Sequence, residues 1–172
     1  RGKVAQHIFI STAAVYEKPP RQLPIAETSP LGNPRWDYAV KKLAMERYYL
    51  ERLAELPTTI VRPSHTLGEG RIPSPSFGHD FTVARRILEG RQVILPDDGQ
   101  WLWTITASSD FAALFCGVTG DGRAIGEAFH ITQDAALTWN ALYWEIGLAL
   151  GRQPEIVHIP TDFMVEREPN LI

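Results

Sequence analysis

A single cysteine in 172 residues, Cys116 in the apolar run FAALFCGV, removes any internal disulfide and suits a reducing cytoplasm. The thiol is expected to be packed among its apolar neighbours. No apolar stretch approaches the roughly 20 residues that span a bilayer, so neither membrane insertion nor export is expected. Lysines and arginines form no run, and 17 of them against 20 aspartates and glutamates leave a formal charge of -3. That balance lacks the electrostatic footprint of a phosphate-backbone binder, and nucleic acid is disfavoured as a partner. His7, His79, His130 and His158 show no metal-ligand spacing, and no metal site is read. Gly117, Gly120 and Gly122 follow a helical pattern, whereas a dinucleotide-binding fingerprint follows a strand, so they read as a turn. There is no internal repeat and no low-complexity segment. What is present, 44% hydrophobic and 22% charged residues, is enough to bury one sizeable core in a soluble globular protein.

The pattern along the chain alternates between strands and helices. His7 to Ser11 (HIFIS) is a short apolar run ending in hydroxyl residues, the signature of a buried parallel strand. Ser11 and Thr12 stand at its carboxyl end, where open α/β sheets bind ligands; they also suit simple bonding to local backbone. Five prolines between Glu17 and Pro34 forbid regular structure there and predict a long loop. A helix is expected from about Arg35 to Glu55, with Pro57 as its stop. Leu43, Leu50 and Leu53, with Ala39, Met45 and Tyr49, make it apolar on more than one side, as a helix is that packs on its own sheet and on a partner subunit. Thr58 to Val61 reads as the next strand, and Arg62 to Gly70 (RPSHTLGEG) as the loop leaving it. Further on, the patterns predict a helix over Phe81–Glu89, a strand over Gln92–Leu95 and a strand over Trp101–Thr106. A helix follows over Asp110–Gly117, capped by Ser108 or Ser109, then a strand over Ala128–Thr132, a helix over Thr138–Leu150 and a last strand over Glu155–Ile159.

Tyr38 and Lys42, in WDYAVKKL, stand one helical turn apart at the head of the first helix and project from one face. A phenol beside an ammonium is a proton-transfer device, because the positive charge favours phenolate. Surface helices also carry such pairs without function, so the pair gains weight only from its surroundings.

Taken together, the strand end FISTAAVY, the proline-rich loop, YAVKK on a helix and a second strand ending in RPSHTLG resemble the extended short-chain dehydrogenase/reductase family, specifically its NAD-dependent epimerase/dehydratase branch. The match is close from Phe9 to Gly70 and looser to the end. The resemblance implies an α/β fold: the later half of a Rossmann-like parallel sheet over residues 1–70, then a mixed α/β substrate-binding region over 71–172 that partly interleaves with the sheet. It implies Tyr38 as the general acid/base and Lys42 as its partner, both against the nicotinamide ribose of NAD or NADP. Thr12, at the family's catalytic Ser/Thr position, would hydrogen-bond the reacting hydroxyl or carbonyl, with Ser11 as the runner-up. Pro63, Ser64 and Thr66 would pass along the nicotinamide, largely through backbone contacts.

Two positions depart from the family pattern. His65 stands where asparagine is frequent and is kept as a substrate contact. Trp103 stands where the family often has an arginine that reaches a diphosphate; an indole removes that charge. Trp103 is either an aromatic wall for a less charged ligand or a core residue. The family's glycine-rich pyrophosphate loop has no counterpart in these residues, and the chain opens on Arg1 close before its first strand. It is therefore expected to be a piece of a longer enzyme, inactive alone. The expected function is NAD(P)-dependent oxidoreductase or epimerase/dehydratase chemistry on a small hydroxylated or carbonyl compound, in a homodimer built through the Tyr38-bearing helix. The alternative is a non-catalytic binding or regulatory protein on the same fold, for example one that binds RNA.

Overall fold

The computed structural model describes residues 4–75 and 80–167, so His79 lies outside the described residues. In chain order the elements are β1 His7–Ile10, α1 Asp37–Leu50, β2 Thr58–Pro63, β3 His65–Leu67, α2 Thr82–Leu88, β4 Val93–Pro96, β5 Leu102–Ala107, α3 Ser108–Val118, β6 Ala128–Ile131, β7 Ala136–Thr138, α4 Trp139–Ala149, β8 Ile156–Ile159 and α5 Thr161–Arg167. Two short 3-10 turns lie at Ala13–Val15 and Gly122–Ala124.

These elements form two units, each an α/β arrangement. The first takes residues 4–66 and 106–132. Its sheet has the order β1-β2-β6, all parallel, with Phe9 opposite Ile60 and Ile60 opposite Ala128. The central strand β2 is buried from Thr58 to Arg62, which is why TTIV shows no polar alternation: both faces are covered. Its buried hydroxyls are satisfied, Thr58 Oγ1 donating to Leu56 O at 3.0 Å and Thr59 Oγ1 to Ala124 O at 2.8 Å. Helix α1 connects β1 to β2 and buries the stripe Ala39, Leu43, Glu46. Leu43 packs with Val15 and Tyr16 beside β1.

The loop between Tyr16 and α1 is closed at its foot. Glu17 N donates to Pro30 O, Gly32 N to Val15 O and Asn33 Nδ2 to Ala14 O, at 2.9, 2.8 and 3.0 Å. Gly32 turns the chain there at φ 145°, a conformation open to glycine and little else. The feet of the loop therefore meet and deliver the chain to α1 in a fixed place, an arrangement of the Ω type.

The second unit takes residues 67–105 and 133–167. It pairs β4 with β8 in parallel, Val93 opposite Ile156, and β5 with β7 antiparallel, Trp103 opposite Leu137. Its core is the apolar cluster Val83, Ile87, Val93, Leu95, Trp139, Leu142 and Tyr143, drawn from α2, β4 and α4. Thr138 Oγ1 accepts from Ala141 N at 3.1 Å and caps α4.

The expected strands and helices are all present, with four differences of physical interest. Helix α1 ends at Leu50 and not near Glu55, because the hydrogen bonds beyond it shorten to Arg52 N→Tyr49 O and Glu55 N→Arg52 O, tight turns in place of α-helix. β2 runs on to Pro63, and β3 forms inside the segment expected to be loop; three residues are too few to show a period. Neither Ser108 nor Ser109 caps α3: β5 passes into the helix without a linker, Ala107 takes the cap position, and both serines fall in the first turn. Cys116 is exposed, not packed. Phe111 and Phe115, stacked at 5.9 Å, and Val118 are the partly buried side of α3, and Cys116 falls off that stripe. The run FAALFCGV is apolar on both sides of the helix, so hydropathy alone misplaces the thiol. Among the described residues no helix is long and apolar enough to cross a membrane.

Candidate active site

At the carboxyl end of β1 the chain carries Ser11 and Thr12. Ser11 is 2% exposed, and its Oγ makes no hydrogen bond within the chain. Thr12 is extended, and its Oγ1 accepts from Ala14 N at 3.2 Å, which starts the 3-10 turn Ala13–Val15. Two strand residues away from the same end, the ring of Phe9 faces the ammonium of Lys42 at 4.9 Å.

Tyr38 is the second residue of α1, and its side chain is 43% exposed beside the ring of Trp36 at 5.0 Å. Lys42 follows one turn later. Its Nζ donates to Ile10 O at 2.7 Å, the carbonyl directly before Ser11, and lies 5.7 Å from the Tyr38 ring centroid. One donor of the ammonium thus fixes the head of α1 to the end of β1, and two remain for a ligand. The positive charge stands beside the phenol, as the spacing predicts.

The end of β2 and the start of β3 add Pro63, Ser64, His65 and Thr66, all partly buried. Thr66 Oγ1 is inaccessible to solvent and makes no hydrogen bond. Buried hydroxyls without partners are uncommon; Ser11, directly after β1, and Thr66, within β3, are two of them in the first unit. Trp103 belongs to the second unit, where it packs against the apolar cluster with its ring 5.9 Å from that of Trp139. That environment favours its reading as a core residue. Among the described residues no three His, Cys, Asp or Glu side chains are grouped to hold a metal.

Beneath Tyr38 and Lys42 the same stripe of α1 continues to Glu46, which the sequence reading missed. Glu46 is 1% exposed and Arg62, on β2, 4%. Arg62 Nε and Nη2 meet the two carboxylate oxygens at 3.0 and 2.7 Å, a bidentate pair. Arg62 Nη1 donates to the Tyr16 hydroxyl at 2.9 Å, and that hydroxyl lies 2.5 Å from His130 Nε2 on β6. Glu27, in the loop, accepts from His130 N through Oε1 at 3.0 Å, and its carbonyl receives Arg62 Nη1 at 3.4 Å. Burial works against the Arg62 charge, but Glu46 and Tyr16 outweigh it and hold its pKa above the ordinary value. Burial raises Tyr16 and lowers His130, while the bond from His130 N lowers Glu27. The available signal was an arginine inside an otherwise apolar strand and a glutamate four residues beyond Lys42.

Comparison with known proteins gives a consistent picture. The model of the NAD dependent epimerase/dehydratase family matches residues 1–131. A 2'-dehydrokanamycin reductase from Streptomyces kanamyceticus is 24% identical over 162 residues, 93% of this chain and 46% of the relative. UDP-glucose 4-epimerase from Thermotoga maritima, solved with UDP-glucose, superimposes with a TM-score of 0.76 at 23% identity, over 92% of this chain and 51% of that one. dTDP-glucose 4,6-dehydratase from Bacillus anthracis, solved with NAD, gives 0.74 at 22% identity, over 89% and 49%. The chain spans about half the length of the relatives it matches.

Proposed function

Because the chain belongs to the NAD-dependent epimerase/dehydratase family, we propose that it carries the proton-transfer part of an NAD(P)-dependent oxidoreductase or epimerase/dehydratase site. The substrate in this reading is a small hydroxyl or carbonyl compound, sugar-derived, in line with relatives named for 2'-dehydrokanamycin, UDP-glucose and dTDP-glucose. The observation that carries it is the placement of Lys42: its ammonium is bonded to the carbonyl of Ile10, beside the ring of Tyr38 and directly before Ser11 and Thr12.

In this reading Tyr38 takes a proton from, or returns one to, the substrate hydroxyl, and Lys42 stabilises the phenolate between the two steps. Thr12 orients the reacting oxygen, with Ser11 as the neighbouring donor, and His65 contacts the substrate. The two remaining donors of Lys42 hold the nicotinamide ribose; Pro63, Ser64 and Thr66 flank the nicotinamide. The bound nicotinamide supplies the hydride acceptor or donor. The exposed apolar residues of α1, Val40, Met45 and Tyr48, face away from its buried stripe and form the contact with a second copy.

The test is Tyr38→Phe in the full-length protein. A loss of about 10²–10⁴-fold in turnover, with substrate KM little changed, is the expected result. Turnover equal to that of the unsubstituted enzyme removes Tyr38 from the proposed role.

A further inference from the structure

Tyr38, Lys42 and Glu46 occupy successive turns of one face of α1, and each turn is differently engaged. Tyr38 is half exposed, Lys42 is bonded to the end of β1, and Glu46 is locked to Arg62. The bidentate ion pair sets the rotation of the helix about its own axis, since turning the helix would separate both oxygens from the guanidinium at once. Arg62 then passes the constraint to Tyr16, and so to the segment that bears Thr12 and to the loop that feeds α1.

The direction of each hydrogen bond follows from the donors. Arg62 has no acceptor to offer, so Tyr16 accepts from it, and the arrangement that also uses the Tyr16 proton is donation to His130 Nε2. That bond requires a neutral imidazole with its proton on Nδ1. We propose that Tyr16, Arg62 and His130 form a proton-dependent latch, which holds the 17–34 loop and the head of α1 in place while His130 is neutral and releases the loop when His130 is protonated. A second cation at His130 would face the Arg62 guanidinium and leave the Tyr16 proton without an acceptor. Three groups face His130: Tyr16, Arg62 on β2 and Glu27 in the loop. Glu27, whose carboxylate is bonded to His130 N, offsets only part of the new charge, and protonation breaks the bond to Tyr16 that ties the start of the loop to β6.

The sign agrees with burial. His130 is held below its ordinary value by burial, so the neutral latch contributes stability that is present above about pH 6.5 and is lost as the pH falls through the folded-state value. Its consequence for Tyr38 rests on the function proposed above; the latch itself does not. The experiment is hydrogen exchange in the full-length protein, read at the Glu17 and Gly32 amides that close the loop, from about pH 7.5 to about pH 5, with intrinsic rates divided out. Protection should fall several-fold on acidification. In His130→Gln the carboxamide oxygen still accepts the Tyr16 proton and cannot titrate, so protection should stay level. Protection that is level in the unsubstituted protein, or that falls equally in His130→Gln, overturns the latch, and neither result bears on catalysis by Tyr38.

Discussion

Tyr143 and Tyr16 are both fully buried, one in each unit, at 0% and 1% exposure. Tyr143 lies in an apolar cluster with its hydroxyl against Ser74 Oγ at 3.1 Å, and burial pushes its ionisation up to about 12. Burial raises Tyr16 as well, but its hydroxyl sits between a guanidinium and an imidazole, and Arg62 pulls it back. The core of the second unit is a packing arrangement, while that of the first places among its apolar residues an ion pair that is linked through Tyr16 to His130. A buried ion pair is weak as a source of stability and strong as a source of geometry. It is found in the unit that carries the candidate site, directly under the helix whose orientation that site needs.

The largest effect should come from breaking the pair on one side. Arg62→Met leaves the Glu46 carboxylate buried without a partner and should cost about 3–5 kcal/mol in denaturant unfolding of the full-length protein, whereas Arg62→Met with Glu46→Leu should recover most of that loss. Ile87→Ala in the second unit should cost about 2–5 kcal/mol by opening a cavity, a loss with no such partner substitution to restore it. If the double replacement is as unstable as the single one, the first core is held by packing like the second and the comparison fails. Smaller effects sharpen it. Tyr16→Phe deletes bonds to a charged group and should cost about 1.5–3 kcal/mol, against about 1 kcal/mol for Tyr143→Phe, which loses one neutral bond. Equal losses would mean that the charge on Arg62 contributes nothing to holding Tyr16.

The legible and illegible parts of this chain divide between local and long-range signals. β1, α1, β2, α4 and the paired strands β4 and β8 could be read because their signals are local: apolar runs, helical periods, prolines at the boundaries. Tyr38 and Lys42 could be read because one turn of helix links them. Arg62 was read as the first residue of a loop, since a charged side chain argues against a buried strand. Only Glu46, brought to it by the crossover from α1 to β2, makes that position tolerable, and no local pattern announces a partner 16 residues away. His130 and Tyr16 are 114 residues apart and join for the same reason. Trp103 in the sequence is equally a ligand wall and a core residue; its neighbours in the fold, not its spacing, favour the core reading. β3 and β7 are too short for any period to show.

The central claim is that Lys42, held by Ile10, presents its remaining donors to a nicotinamide cofactor. It is tested most directly by titrating NAD(H) and NADP(H) into the full-length protein while following tryptophan fluorescence, alongside Lys42→Met. The account predicts saturable binding of at least one of the two cofactors, weakened about tenfold or more by the substitution as charged hydrogen bonds are lost. Binding of neither cofactor, or undiminished binding by Lys42→Met, would contradict it.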